Sequence, residues 1–277
     1  MINFNGTIVP SKDNVLYDSR AVRYGDGVFE TLKVINNKIL FFEDHYFRLL
    51  AGMRIIRMEI PSYFTIKFLE EQIISTVIAN NYSNSARARI IVYRNTGGFY
   101  LPDTNAVSLL IDVTYTEQLY LCKEEYEVDI FKDYYISKQI LSTIKSTNKL
   151  INILGSIYAK ENKWDNCLLI NENRNVIEAV QGNLFMLIGN KLITPPISEG
   201  CLSGVMRKNI LKLAKELEGI DVLEVPISPF DLQKADELFI TNVIIGIQPI
   251  TKYRKKLYKT TFADNLLISL NSINTFN

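Results

Sequence analysis

Hydrophobic and polar positions in the first half of the chain alternate between the two-residue period of a strand and the spacing of a helix. Residues 31–42 predict two strands that turn at Asn36-Asn37, where positive φ is tolerable. Apolar residues recur at helical spacing over 43–61 and again over 62–80, which predicts two helices. The elements predicted next are strands over 88–95 and 106–115.

The second half alternates between shorter strands and helices. Residues 148–164 predict a helix, and residues 203–219 predict another that begins at a capping Ser203. A buried strand is predicted over 237–244. The pattern as a whole predicts an α+β protein in two unequal halves, with the best domain boundary in a segment of mixed polarity over roughly residues 116–125.

The composition of the chain argues against several classes of function. Of the 277 residues, 47% are hydrophobic, and a net charge of +1 gives no broad basic surface, so we expect no nucleic-acid partner. No apolar run reaches the roughly 18–20 residues that span a membrane, and the first ten residues lack the regions of a signal peptide. The three cysteines stand far apart, which favours a reduced, cytoplasmic protein. A single histidine argues against a histidine-rich metal site, and we predict no metal.

Lys145, in the stretch IKSTNKLIN, is the first residue with possible chemistry. It lies at the junction between an apolar run and the helix predicted over 148–164. A lysine amine is nucleophilic only when deprotonated, and burial favours that state. The alternative is an ordinary solvated lysine.

Three further features are weak when each is taken alone. Glu178 lies in an apolar strand and either faces solvent or pairs with a cation. Arg48 either binds phosphate or covers apolar surface with its stem, and His45 is interpreted as structural. The helix that follows Ser203 begins with amides that could bind phosphate. Together with Lys145 they supply an amine, a carboxylate and phosphate donors, as pyridoxal phosphate requires.

Six ordered blocks resemble the class IV aminotransferases, the fold-type IV pyridoxal phosphate enzymes. The blocks are RAVRYGDGVFETLKV, HYFRLL, IKSTNKLINIL, VIEAVQGNLF, LSGVMR and ITNVIIGIQPI. The resemblance covers nearly the whole chain. It implies a smaller N-terminal α/β domain over residues 1–118, a C-terminal pseudo-barrel α/β domain over residues 119–277 that binds the cofactor, and a homodimer.

The resemblance also implies a role for each matching residue. Lys145 resembles the lysine that binds the cofactor covalently and moves the substrate proton, and Glu178 resembles the partner of the pyridine nitrogen. Arg48 resembles the phosphate arginine, and Phe29 an aromatic near the substrate. The residues implied to complete the phosphate site are Val205, Met206, Asn242 and Val243. Val243 stands where some aminotransferases have threonine, so only its amide could serve.

The reaction is less well determined than the cofactor. Lys149 follows the asparagine of KSTNKL, where aminodeoxychorismate lyases often carry arginine, and Arg94 is a candidate substrate-carboxylate binder. Alternatively, Lys149 is a solvated helix lysine and Arg94 is simply a loop arginine. We predict a 4-amino-4-deoxychorismate lyase, which releases pyruvate and gives 4-aminobenzoate for folate synthesis. A branched-chain-like amino-acid:2-oxo-acid aminotransferase is the alternative, and a scaffold protein that has lost catalysis is a third hypothesis.

Overall fold

The computed structural model describes residues 1–10 and 18–276, and the chain divides into two compact units. The first unit comprises Met1–Gln118 and Ile144–Asn148, and the second comprises Leu119–Thr143 and Lys149–Asn277. The boundary implied by the resemblance stands between the same residues, 118 and 119, whereas the segment Ile144–Asn148 around Lys145, expected within the second domain, groups with the first unit.

The first unit is built on a six-stranded antiparallel sheet in the order β2-β1-β6-β5-β3-β4. Its elements are β1 (Ile2–Phe4), β2 (Thr7–Val9), α1 (Arg20–Tyr24), β3 (Gly27–Ile35), β4 (Lys38–Ile39), α2 (Phe42–Ile55), α3 (Ile66–Ala79), β5 (Ser85–Arg94) and β6 (Val107–Tyr115).

The two faces of β3 differ in chemistry because successive side chains of a strand point to opposite sides. Val28, Leu32 and Val34 belong to the apolar core that includes residues of α2 and α3. Burying each such side chain stabilises the fold by roughly 1.5–3 kcal/mol. Phe29 and Lys33 alternate with them and lie on the opposite face. Strand β3 therefore presents Phe29 and Lys33 on the face opposite this apolar core.

The predicted hairpin is confirmed, whereas the helix that follows it is shorter than predicted. Asn36 and Asn37 have φ of 49° and 60° between β3 and β4. Helix α2 ends at Ile55 and not at residue 61. Arg57 has a φ of 59°, a left-handed conformation that cannot continue a helix.

The second unit contains two five-stranded sheets, in the orders β12-β11-β10-β13-β14 and β16-β15-β7-β8-β9. Both are mixed, since each has parallel as well as antiparallel pairs. Its elements are β7 (Glu127–Ile130), α4 (Ile140–Thr143), α5 (Leu150–Glu161), β8 (Asn166–Ile170), β9 (Val176–Ala179), β10 (Asn183–Ile188), β11 (Lys191–Thr194), α6 (Val205–Lys215), β12 (Asp221–Glu224), α7 (Pro229–Lys234), β13 (Glu237–Asn242), β14 (Gly246–Ile250), β15 (Lys252–Tyr253), β16 (Lys256–Leu257) and α8 (Thr261–Phe276).

Apolar side chains from both sheets form one core cluster of the second unit, which includes Val128, Leu168, Leu184 and Ile240. Strands β8, β9 and β10 are buried along almost their whole length, as their continuous apolar sequence predicts. In the described part of the chain, none of the helices has the length and apolar character needed to cross a membrane.

Candidate active site

The Lys145 segment lies antiparallel to the start of β3. The Phe29 amide donates to the Lys145 carbonyl at 2.8 Å, and the Thr147 amide donates to the Gly27 carbonyl at 2.9 Å. Between these two bonds, Val28 and Ser146 form an antiparallel bridge. The backbone that carries Lys145 is therefore fixed by the strand that carries Phe29.

The Phe29 ring contacts two cations on the face of the sheet opposite the apolar core. Lys145 Nζ lies 4.6 Å from the ring centroid, and Arg89 Cζ lies 4.4 Å from it. Cations at such distances are attracted by the negative face of an aromatic ring. Phe29 thus helps to fix the position of the Lys145 amine, as an aromatic near the reacting atoms would.

The sequence analysis missed Arg89. Arg89 lies on β5 opposite Thr31, which shares a face of β3 with Phe29. Its Nε is buried and has no hydrogen-bond partner among the described residues, although Asp112 lies opposite it on β6. The two-residue period of β5 could have revealed this arginine, because Ala88 and Ile90 on either side of it are core residues.

Glu30 is fully buried and holds Arg48 and His45 together. Its carboxylate accepts from Arg48 Nε at 2.7 Å, from Arg48 Nη2 at 2.5 Å and from His45 Nδ1 at 2.7 Å. Burial alone would raise the pKa of Glu30, but the Arg48 charge and the bonds from Arg48 and His45 outweigh it and lower the pKa to about 2. Glu30 is therefore an anion. It holds Arg48 in a fixed orientation and compensates much of the charge of the Arg48 guanidinium.

His45 is structural, as predicted, and neutral. Burial lowers its pKa, the bond to Glu30 acts against this, and the charges of Arg48 and Lys145 lower it further. Nδ1 carries the hydrogen because it faces the Glu30 anion. Nε2 is then an acceptor, and it is buried with no hydrogen-bond partner in the described chain.

Arg94 does not fit the predicted role of a substrate-carboxylate binder. Its guanidinium is 7% exposed and donates to Asp26, to Asn105 and to the carbonyls of Ile56 and Arg57. These bonds engage all three of its nitrogens within the first unit, so Arg94 is a structural clamp. The prediction failed because the sequence could not show which of the arginines on β5 has its donors already occupied.

Glu178 is buried on β9, and the alternative of a solvent-facing glutamate is wrong. Its Oε2 accepts from the Leu202 amide at 2.9 Å. The Leu202 amide thereby orients the carboxylate, whose two oxygens together offer more acceptor sites than one hydrogen bond occupies.

Helix α6 begins at Val205 with Gly204, not Ser203, as its N-cap, and a glycine has no side chain with which to cap it. The Ser203 amide instead donates to the Thr143 carbonyl. A Cβ at position 204 would overlap the side chain of Asn183, so this position requires glycine. The uncapped first turn, with the amides of Val205 and Met206, is suited to an anion.

Asn242 and Val243 lie at the end of β13. The Asn242 side chain accepts from the amides of Ile244 and Ile245 and donates to the Gln181 carbonyl. Asn242 therefore shapes the turn through its side chain. Of the predicted pair, the Val243 amide is the group suited to a phosphate.

Lys149 is separated from Lys145 by the unit boundary. It is the N-cap of α5 and makes no side-chain capping bond there.

Within the described residues there is no group of three or more His, Cys, Asp or Glu side chains that could hold a metal ion.

Comparison with known proteins identifies the family. The amino-transferase class IV model matches residues 27–253, which is most of the chain. The protein therefore belongs to the class IV aminotransferases, and it is an enzyme of this pyridoxal phosphate-dependent family. The resemblance drawn from the six sequence blocks is confirmed.

The relatives are mostly aminotransferases. A proposed branched-chain-amino-acid aminotransferase of Methanocaldococcus jannaschii is 29% identical and covers 90% of this chain and 86% of its own. A D-alanine aminotransferase of Listeria innocua is 28% identical, with coverages of 89% and 85%.

Two solved structures show the fold. The branched-chain aminotransferase of Thermoproteus uzoniensis has a TM-score of 0.89 at 24% identity, covering 99% of this chain and 94% of its own. A proposed 4-amino-4-deoxychorismate lyase of Legionella pneumophila has a TM-score of 0.86 at 22% identity, covering 97% of each chain. The fold-type IV architecture is confirmed, while the names favour the aminotransferase alternative over the lyase prediction.

Proposed function

We propose that the protein is an amino-acid:2-oxo-acid aminotransferase that uses pyridoxal phosphate and Lys145. The observation that carries the proposal is the Lys145 amine, held 4.6 Å from the Phe29 ring on a backbone that is hydrogen-bonded to β3. The names of the relatives support transamination over elimination.

The residues present fit the cofactor. Lys145 supplies the amine for covalent attachment. Glu178 supplies a buried anion for the ring nitrogen, and Leu202 keeps that anion oriented. The start of α6 offers the Val205 and Met206 amides to phosphate. Its N-cap is Gly204, where an added Cβ would meet the side chain of Asn183. Arg48, oriented by Glu30, and the Val243 amide are the further phosphate donors we propose.

When bound, pyridoxal phosphate supplies a ring that accepts the electron pair left on the substrate Cα after proton loss. As a free amine beside the bound substrate, Lys145 would take the proton from the substrate Cα and hold it for return, so that no proton from bulk solvent is required. Glu178 keeps the ring nitrogen protonated. The ladder between β3 and the Lys145 segment limits the movement of the amine between these two tasks.

We assign recognition of a second substrate carboxylate to Arg89. Its unsatisfied Nε needs an acceptor, and it packs on the same Phe29 ring as Lys145. A buried donor without a partner costs roughly 1–3 kcal/mol, which a carboxylate would recover. The protein would then accept a dicarboxylic partner such as 2-oxoglutarate.

The deciding experiment compares four substrates with purified, cofactor-loaded protein. We expect leucine with 2-oxoglutarate to give the 2-oxo acid and glutamate, without release of pyruvate from aminodeoxychorismate. Release of pyruvate would instead establish the lyase, for which Lys149 was the predicted substrate contact. Turnover of D-alanine would establish a D-amino-acid aminotransferase.

Arg89→Gln tests the assignment of the second carboxylate. We expect the KM for 2-oxoglutarate to rise about 10–100-fold, while the KM for a monocarboxylic 2-oxo acid stays nearly unchanged. Equal increases for both acids would contradict it. The homodimer, also proposed, is tested by light scattering of the same preparation.

A further inference from the structure

Asp26 lies directly before β3 and joins two buried arginines. Its Oδ2 accepts from Arg20 Nε at 2.8 Å and from Arg94 Nε at 3.0 Å. The arginine side chains are only 5% and 7% exposed. One carboxylate therefore bridges two guanidinium groups, and removing Asp26 would leave both largely buried arginines without their shared anion.

Arg20 extends this cluster to the loop over residues 97–103. Its Nη1 donates to the carbonyls of Gly97 at 3.0 Å, Gly98 at 3.4 Å and Phe99 at 2.6 Å. The two glycines have φ of 115° and 68°, and a Cβ at position 98 would overlap the Leu101 carbonyl. Glycine is therefore required for this loop to turn its carbonyls toward Arg20.

The turn around Asp26 also holds the Lys145 segment from the other side. The Gly25 carbonyl accepts from Thr147 Oγ1 at 2.6 Å and from Asn148 Nδ2 at 3.0 Å. The Gly27 carbonyl accepts from the Thr147 amide. Both sequence neighbours of Asp26 thus bind Thr147 or Asn148, which follow Lys145 by two and three positions.

The loop presents large apolar side chains to solvent. Phe99, Tyr100 and Leu101 are 84%, 91% and 83% exposed, and the Tyr100 ring lies 5.8 Å from that of Tyr24. Tyr24, Tyr100, Arg94 and Asn148 are among the residues that line a cavity of about 340 Å³ in the same unit. A molecule that covers these exposed side chains would therefore contact the loop whose backbone carbonyls accept hydrogen bonds from Arg20.

We propose that Asp26 is a positioning residue that couples the conformation of the 97–103 loop to Lys145. The proposal rests on the assignment of Lys145 as the cofactor lysine. Displacement of the loop removes three acceptors from Arg20, loosens the Arg20–Asp26–Arg94 cluster, and weakens the bonds that fix the Lys145 segment to β3. Ordering of the loop has the opposite effect.

The test uses Gly98→Ala, which changes the loop and touches neither Asp26 nor the Lys145 segment. Hydrogen exchange of the Phe29 and Thr147 amides is measured in the full-length, cofactor-loaded protein, with chymotrypsin cleavage at Phe99 and Tyr100 as a report on the loop. We expect cleavage and both amide exchange rates to rise by about tenfold or more. Asp26→Asn should raise the same three rates.

Gly189→Ala is the matched control, because Gly189 also has a positive φ, of 57°, but lies in the second unit with no atom near its Cβ. It should leave both exchange rates unchanged. Faster cleavage in Gly98→Ala with unchanged exchange at Phe29 and Thr147 would overturn the proposal. If Asp26→Asn fails to fold, Gly98→Ala alone decides.

A spectroscopic readout separates positioning from a purely structural role. The pH midpoint of the visible band of the loaded protein should shift in Gly98→Ala and stay constant in Gly189→Ala. A protein with no visible band would refute the proposed function, while the amide exchange rates would still decide the coupling.

Discussion

The two units hold their candidate site residues by different physical means. The first unit uses charged side chains that fix one another, as Glu30 does for Arg48 and His45. The second unit relies mostly on backbone groups, such as the uncapped start of α6 and the Leu202 amide that orients Glu178. Removing a charge should therefore affect the stability of the first unit, whereas adding a methyl group should affect ligand binding in the second.

The largest effect is expected for Lys145→Ala, because this amine is both the attachment point and the proton carrier. Activity should fall on the order of 10³-fold or more, and covalent attachment should be lost. Absorbance and steady-state assays measure both. Lys149→Ala is the control, and we expect it to keep the attachment.

Glu30→Gln tests the charged cluster of the first unit. It leaves the Arg48 guanidinium buried without its anion, so we expect the free energy of unfolding to fall by about 3–5 kcal/mol. Urea denaturation measures this. Glu71→Gln, on the exposed surface of α3 with a 3.9 Å ion pair to Lys67, should change stability by less than about 0.5 kcal/mol. Similar losses in both variants would refute a special role for the cluster.

The lowered pKa of Glu30 predicts that the stability of the protein depends on pH, and the same pair of variants tests this. The pKa of Glu30 falls from 4.5 to about 2 on folding, so its contribution is fully present above pH 4.5 and is lost as the pH falls through 2. The Tm of the wild-type protein should therefore fall on acidification below pH 4.5, and Glu30→Gln should show a flatter profile than Glu71→Gln.

Glu178→Gln should act on catalysis and leave the fold intact. The amide oxygen can still accept from Leu202, but the charge that would keep the ring nitrogen protonated is gone. We expect kcat to fall on the order of 10²-fold, with stability changed by less than about 1 kcal/mol. A normal kcat in Glu178→Gln would contradict the role.

Gly204→Ala is the smallest change and tests the backbone site of the second unit. The added methyl group meets Asn183, so the first turn of α6 must shift, and cofactor affinity should fall about tenfold. Titration with pyridoxal phosphate measures this. Adding Asn183→Ser removes the obstruction and should restore part of the affinity; no recovery would mean that the contact with Asn183 is not the cause.

The contrast between the units also explains what the sequence could predict. The hairpin at Asn36-Asn37 and the family were predictable, because turn residues and ordered motifs are local. Arg94 and Arg89 both lie on β5, and the two-residue period separates their faces, but only the three-dimensional contacts show whose donors are occupied. The sequence predicted Ser203 as the N-cap of α6, whereas the structure has Gly204 there. The contact that restricts position 204 is made by Asn183, which is distant in sequence, so the sequence pattern could not show it.

The measurement that tests the central claim most directly is peptide mapping of the loaded protein after borohydride reduction and trypsin digestion. If Lys145 carries the cofactor, trypsin cannot cleave there, and the modified peptide should span residues 139–149. A modified peptide over residues 146–160 would place the cofactor on Lys149, and no modified peptide at all would refute covalent attachment. Either result would contradict the function proposed for this protein.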